Sequence, residues 1–267
     1  MKSSQLLVMD VDSTLTSTEG IDLLAGLAGH GPEVAVVTER AMRGELDFAA
    51  SLHERVALLR GLPESGLAQA TSLVRLSPGA RELVSALHAE GWAVGAVSGG
   101  FAQMVAPLAE DLGLDFYRAN TLEMADAVLT GRVIGSVVDR AAKARALAEW
   151  AGRLGLAPSQ TAAIGDGAND LDMMAAAGLS IAYGGKPAVV QAADHAITGS
   201  LLEALPILRA FAQHSAAADA ATALNHAGTA DPGSGTTASP PGDPFRPTGS
   251  AASAERSAHS RPIPTVH

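Results

Sequence analysis

Leu6-Leu7-Val8-Met9-Asp10-Val11-Asp12-Ser13-Thr14 is the stretch on which the reading of this chain turns. Four consecutive apolar residues ending in acids and a turn fit a short strand buried on both faces, as in a parallel sheet. Two carboxylates separated by one residue follow at once. Past the end of the strand its strict alternation lapses, so both acids can face a single pocket. Taken alone, such a pair is also what an Asx turn with an N-cap looks like.

Working outward, the same pattern recurs. Trp92 to Val97 is an apolar run stopping at Ser98-Gly99-Gly100, Thr161 to Ile164 stops at Gly165-Asp166-Gly167, and Leu179 to Ala182 is a fourth run. Helical stretches lie between them: Pro78 to Glu90, Phe101 to Leu112, Ala141 to Leu154 and Leu171 to Ala177. Strands alternating with helices predict an α/β fold, a Rossmann-like core with a parallel sheet covered on both faces. A hairpin is expected around Val128 to Val138, with its turn at Thr130-Gly131. Thr16 to Leu76 shows helical periodicity and no strand pair. A small helical domain inserted directly after the first strand would overhang the carboxyl edge of the sheet, where open α/β folds bind ligands. The expected organisation is a core of residues 1–15 and 77–211, a helical cap of residues 16–76, and a tail of residues 212–267.

The tail reads as disordered. Of its 56 residues 25 are Gly, Pro, Ser or Thr and few are large and apolar, too little buriable surface to offset ordering entropy. The rest of the chain is apolar enough to fold: 47% of the 267 residues are hydrophobic, but only 3% are aromatic, so the core must be built mainly of Ala, Leu and Val. A formal charge of −10 argues against a nucleic-acid binder, which needs a basic face. The chain has no cysteine, which excludes disulfides, thiolate metal sites and a cysteine nucleophile. No apolar run reaches the ~18 residues of a membrane span, and the N-terminus lacks the apolar core of a signal peptide. The expectation is a soluble cytoplasmic protein with no membrane partner.

Three strand ends thus carry polar residues in tight turns. Ser98-Gly99-Gly100 before a helix is a ready anion site, although an ordinary strand–turn–helix junction looks the same. Gly165-Asp166-Gly167-Ala168-Asn169-Asp170 holds two acids and an amide, more than the single N-cap a helix needs, and suits a hard cation such as Mg²⁺. Lys143 lies near the start of the helix that Asp139 is expected to cap, where a cation opposes the macrodipole; a bound anion would justify it. In the insert, Arg55 falls on the helix face of Phe48, Leu52 and Leu59. It either snorkels past them or meets an anion. Glu19 closes Thr16-Ser17-Thr18-Glu19, which reads equally well as a capping box.

Together these residues resemble the haloacid dehalogenase superfamily and, within it, the phosphoserine phosphatases. The resemblance runs from about Leu6 to Leu208. It rests on Asp10-Val11-Asp12-Ser13-Thr14, Ser98-Gly99-Gly100, Lys143 and Gly165-Asp166-Gly167-Ala168-Asn169-Asp170 in that order, with supporting runs at Glu19-Gly20-Ile21, Met42 to Phe48, Ser51 to Val56 and Ala177 to Tyr183. It implies Mg²⁺-dependent hydrolysis of O-phospho-L-serine, the last step of serine biosynthesis, with Asp10 as nucleophile and Asp12 as acid and base. It further implies Mg²⁺ held by Asp10, the Asp12 carbonyl, Asp166 and, directly or in support, Asp170. Ser98, Gly99 and Lys143 would bind the phosphoryl group and Asn169 would orient the substrate. Arg55 and Glu19 would take the substrate's carboxylate and ammonium, with Met42 and Phe48 closing over the site. A relative acting on another small phosphomonoester, or transferring phosphate to homoserine, would share these motifs. A phosphate- or Mg²⁺-sensing protein without turnover would be expected to lack Asp10 or Asp12. Longer relatives carry a regulatory domain ahead of the first strand; none precedes it here, so feedback control through such a module is not expected. Ala127 stands where relatives often carry glycine in the hairpin.

Overall fold

Each apolar run is a strand in the computed structural model, which describes residues 4–227. The strands are β1 (Gln5–Met9), β2 (Trp92–Phe101), β3 (Phe116–Ala125), β4 (Val128–Ile134), β5 (Thr161–Gly165), β6 (Leu179–Tyr183) and β7 (His195–Ile197). They form one sheet in the order β4-β3-β2-β1-β5-β6-β7, parallel throughout except for the antiparallel β3–β4 pair. The helices in chain order are α1 (Gly20–Ala28), α2 (Gly31–Met42), α3 (Phe48–Ala57), α4 (Glu64–Leu73), α5 (Ala80–Ala89), α6 (Ala102–Leu112), α7 (Arg140–Leu154), α8 (Leu171–Ala176), α9 (Pro187–Ala192) and α10 (Ala204–Ala227).

The central strand shows why both faces are covered. Leu7 and Met9 point into one apolar layer with Leu83 and Leu87 of α5, Val105 of α6 and Leu208 of α10. Leu6 and Val8 point into the other, with Ala146, Leu147 and Trp150 of α7 and Met173 of α8. Alternate side chains of a strand face opposite ways, so a strand apolar at every position needs helices on both sides.

Helices α1 to α4 build a third apolar cluster, in which Leu24, Val34, Leu52, Val56 and Leu67 meet Met104 of α6 and Leu122 and Leu129 of the β3–β4 hairpin. The chain enters and leaves this insert through an antiparallel bridge, Thr16 to Leu76, reinforced by Ser77 N–H donating to the Leu15 carbonyl at 3.0 Å. The α3–α4 junction is tied down separately: Gly61 N–H donates to Leu129 O, and Leu129 N–H to Leu62 O, both at 2.8 Å.

Three expectations change. The hairpin turns at Asp126-Ala127, both with positive φ (51° and 61°), because the type I′ geometry of a two-residue loop requires it; Thr130-Gly131 lies inside β4. The capping box at Thr16 to Glu19 does not form. Thr16 Oγ1 donates to the Val11 and Thr18 carbonyls, and the first amide of α1, Gly20 N–H, donates instead to Asp12 Oδ1 at 2.8 Å. Finally, α10 runs past Phe211 to Ala227, into the segment expected to be disordered. That part is rich in alanine and free of Gly and Pro, hence helix-prone. The rest of the tail lies outside the described residues. Among the described residues no helix is long and apolar enough to cross a membrane.

Candidate active site

The chain leaves β1 toward β2 and β3 on one side, then crosses to β5, β6 and β7 on the other. The carboxyl edge at β1 is therefore a topological switch point, where neighbouring connections diverge and leave a crevice. A cavity of about 390 Å³ opens there, lined by Asp10, Asp12, Gly99, Gly100, Asp166 and Asn169 from the strand ends and by Glu19, Met42, Phe48, Ser51 and Arg55 from the insert.

Asp10 ends β1 and is buried. Its Oδ1 accepts from Val11 N–H at 2.7 Å and from Lys143 Nζ at 2.6 Å. The turn over Val11–Leu15 then reverses at Ser13, with φ of 60°, which brings Asp12 back toward the same cavity. Asp12 Oδ1 accepts from Gly20 N–H and Asp12 Oδ2 from the Ser98 hydroxyl at 3.0 Å, so this side chain is fixed by two different elements.

Lys143, Ser98 and Asp170 are fully buried and lie behind the cavity wall. Lys143 Nζ donates to Asp10 Oδ1 and, at 2.7 Å, to Asp170 Oδ1. Its place in the first turn of α7 is therefore explained by two acids across the sheet edge, while Asp139 caps the helix by accepting from Ala142 N–H at 2.7 Å. Burial opposes the charge of Lys143, but the two carboxylates outweigh it and hold the ammonium above its usual range. Burial pushes the Asp10 carboxyl up; the charge of Lys143 opposes this and that of Asp170 adds to it.

Asp170 does not cap α8. Its Oδ2 accepts from Gly167 N–H at 3.0 Å, closing the loop after β5 on itself. That loop can be so tight only with glycines: a Cβ on Gly165 would lie 2.5 Å from Asp170 Cβ, and one on Gly167 only 2.2 Å from Asn169 Oδ1. Asp166 faces the cavity. Burial raises its carboxyl and the neighbouring Asp170 raises it further, against Lys143 and Lys186.

Carboxylate oxygens of Asp10, Asp166 and Asp170 lie within 4.8 Å of one another. Three acids with one lysine leave excess negative charge among oxygen donors. A hard divalent cation fits that donor set, and the group can hold a metal.

The insert supplies the opposite wall. Arg55 is half-buried, with Nε donating to the Ser51 carbonyl at 3.2 Å; burial lowers its pKa, opposed by the charges of Glu19, Asp22 and Asp12. Glu19 sits at the cavity mouth and accepts from the Ser13 hydroxyl at 2.6 Å; desolvation raises its carboxyl, against that hydrogen bond. The Phe48 ring lies so close to Gly99 that a Cβ there would meet its Cζ at 2.7 Å. Met42 lines the cavity yet is 70% exposed, so in this conformation it stands at the rim without covering it.

Sequence reading missed Lys186 and Ser51. Lys186 follows β6 at the same sheet edge and lines the cavity; applying the strand-end rule to the fourth apolar run finds it. Ser51 is buried one turn before Arg55, and its hydroxyl has no hydrogen-bond partner. A serine inside a helix gives no sequence signal for that.

Residues 7–175 match the model of the haloacid dehalogenase-like hydrolases. Over 202 residues the chain is 55% identical to a phosphoserine phosphatase of Streptomyces coelicolor, covering 76% of this chain and 49% of that one. A phosphoserine phosphatase of Mycobacterium tuberculosis is 48% identical over 78% of this chain and 51% of its own. The chain therefore spans about half the length of these two relatives. One from Streptococcus thermophilus is 52% identical, covering 72% of this chain and 90% of its own. Among solved structures, a substrate-bound phosphoserine phosphatase complex superposes with a TM-score of 0.74 at 40% identity, covering 78% of this chain and all of the other. A phospho-aspartyl intermediate analogue of phosphoserine phosphatase gives 0.73, also at 40%. On these matches the chain belongs to the haloacid dehalogenase-like hydrolases, within their phosphoserine phosphatase family.

Proposed function

We propose that this chain hydrolyses O-phospho-L-serine to L-serine and phosphate, the closing step of serine biosynthesis, with helices α1 to α4 acting as a cap that selects the substrate. The observation that carries this reading is the pairing, in one cavity, of the Asp10–Asp12 turn with Arg55 and Glu19 on the opposite wall. A phosphorylated amino acid has three charged groups: Arg55 and Glu19 line the cavity as complements to the carboxylate and the ammonium, and Lys143 behind its wall supplies positive charge for the phosphoryl group.

Asp10 attacks phosphorus through a carboxylate oxygen, and the bond from phosphorus to the serine oxygen breaks. Asp12 gives its proton to that leaving oxygen. In the second step Asp12 takes a proton from water as the water oxygen attacks phosphorus, phosphate leaves and Asp10 is restored. The Gly20 amide keeps Asp12 aimed for both transfers, while the Ser98 hydroxyl, which donates to Asp12 Oδ2 in this structure, turns to the substrate. Lys143 and Ser98 set charge and a hydrogen bond against the phosphoryl oxygens, the kind of stabilisation on which phosphoryl transfer chiefly depends. Gly99 approaches the same group with its backbone, and Asn169 orients the substrate. Arg55 takes the carboxylate and Glu19 the ammonium, while Phe48 and Met42 exclude water. Asp10, Asp166 and Asp170, with the Asp12 carbonyl, would hold Mg²⁺. When bound, the ion supplies positive charge to the phosphoryl group.

Phosphate release from O-phospho-L-serine, O-phospho-L-threonine and p-nitrophenyl phosphate, with Mg²⁺ or EDTA, tests this. Mg²⁺-dependent turnover preferring phosphoserine is expected, and Asp10→Asn should abolish it. Arg55→Ala should raise KM for phosphoserine by at least about 10-fold, as a lost charge-assisted contact implies, and barely alter turnover of the aryl ester. Equal losses on both would sink the assignment of substrate.

A further inference from the structure

We infer that Asn120 is a positioning residue, whose amide locks the Gly99–Gly100 peptide so that Ser98 presents its hydroxyl proton to the reacting side of the site. This rests on the reading of Ser98 as a phosphoryl-binding group.

Asn120 lies in β3, 1% exposed, and both ends of its side chain are engaged. Nδ2 donates to the Gly99 carbonyl at 2.8 Å, and Oδ1 accepts from Val138 N–H at 2.8 Å. A carbonyl can only accept and an amide N–H can only donate, so these partners fix which end of the amide is which.

The consequence follows from peptide planarity. In a trans peptide the C=O and the N–H point in opposite directions. Holding the Gly99 carbonyl toward Asn120 turns Gly100 N–H the other way, where it donates to Ser98 Oγ at 2.7 Å. With that lone pair of Oγ occupied, the Ser98 proton is directed outward, to Asp12 Oδ2 in this structure and to a phosphoryl oxygen when substrate is bound. The donors therefore run in one direction, from the Val138 amide through Asn120 and the Gly99–Gly100 peptide to Ser98 and Asp12.

This peptide needs an external lock. A Cβ on Gly99 would meet Phe48 Cζ at 2.7 Å, and one on Gly100 would meet Asp12 Oδ2 at 2.7 Å, so a side chain at either position would displace a residue of the site. A Gly-Gly peptide has few conformational restraints of its own. The sheet does not supply them either. Val97 pairs with Arg118 and Phe101 with Asn120, so β2 carries two more residues than β3 over this interval and the ladder is interrupted there. The Asn120 side chain stands in for the missing ladder bond. Its other end anchors Val138, just before the cap of α7, so one amide spaces Ser98 from the helix that carries Lys143.

Hydrogen exchange at the Gly100 amide, followed by NMR, tests the lock without needing turnover or a variant. In the wild-type chain Gly100 should exchange as slowly as the core strand amide of Leu7; fast exchange overturns the inference. Asn120→Asp keeps the acceptor for Val138 and loses the donor to Gly99. It should speed Gly100 exchange at least about 10-fold relative to Leu7 and lower kcat/KM by about 10–100-fold on both phosphoserine and p-nitrophenyl phosphate, the range expected when a buried hydrogen bond is left unmade. In a Ser98→Ala background the same change should add less than about 3-fold, because it acts through Ser98. A full, additive loss there, or unchanged rates with faster Gly100 exchange, would remove Asn120 from the reaction and leave it a structural residue. If the aryl ester turns over and phosphoserine does not, the substrate assignment fails while the cycle still runs on the ester. If neither turns over, Gly100 exchange decides the lock alone.

Discussion

Lys143 is a fully buried cation between two acids, and its neighbours bear the cost of any change. Lys143→Met would leave Asp10 and Asp170 facing each other without a counter-charge. Removing one partner of a buried ion group costs about 3–5 kcal/mol, so the urea midpoint measured in EDTA should fall markedly; an unchanged midpoint would show that the pair is not charged in the folded state. Ala127 is the opposite case, a residue placed against its own preference. At φ of 61° its Cβ is strained, and glycine there relieves roughly 1 kcal/mol. Ala127→Gly should raise the thermal midpoint by about 2–4 °C, with no effect on turnover. A lower midpoint would mean that the entropy glycine adds to the unfolded chain outweighs the relieved strain.

Among the elements, α7 shows how a helix cap places a side chain at the site. Asp139 fixes where this helix begins, and Lys143 lies one turn further on. Asp139→Ala should cost about 1 kcal/mol of stability, the usual worth of an N-cap, and lower kcat/KM as well, because the ammonium depends on the first turn for its place. A stability loss with full activity would show that the two acids position Lys143 unaided. The β3–β4 hairpin works differently. The sequence reading expected a hairpin here but no contact to the insert, and its Leu129 exchanges hydrogen bonds with the α3–α4 junction. One end of the insert is thereby tied to the core, whereas Met42 on α2 stands free at the cavity rim.

At the level of the whole molecule, several acids converge on one cavity and are kept above their ordinary pKa by burial and by one another. Unfolded carboxyls titrate near about 4. Above that value the folded chain holds protons at Asp166 and Glu19 that the unfolded chain has released, so their contribution to stability falls as pH rises through the folded pKa values. Ionised carboxylates are also what a divalent cation requires. The rise in thermal midpoint on adding saturating Mg²⁺ should therefore be larger at pH 7.5 than at pH 5. Scanning calorimetry in Mg²⁺ and in EDTA at both values checks this, and an equal gain at the two pH values would count against the carboxylate cluster as the site.

The linear pattern is enough for the α/β core, because strands buried on both faces must be apolar throughout and must break off in polar turns. It also determined the acids at those turns, since Asp10, Asp12, Asp166 and Asp170 are adjacent to strand ends and need no long-range information to be found. The odd placements of Lys143 and Arg55 were legible as anomalies, each asking for a partner that the linear pattern could not name. The fold alone names those partners: Lys143 meets Asp10 across 133 positions of sequence. Likewise it decided that Asp126 and Ala127 make the turn, since register is a property of two paired strands. It also decided that Ser51 and Asn120, ordinary in sequence, sit in a cavity wall and beside an interrupted ladder. The end of α10 was missed for a simpler reason. Averaging composition over the whole tail hid an alanine-rich stretch next to one rich in glycine and proline, and helix propensity acts over a few turns, not over fifty residues.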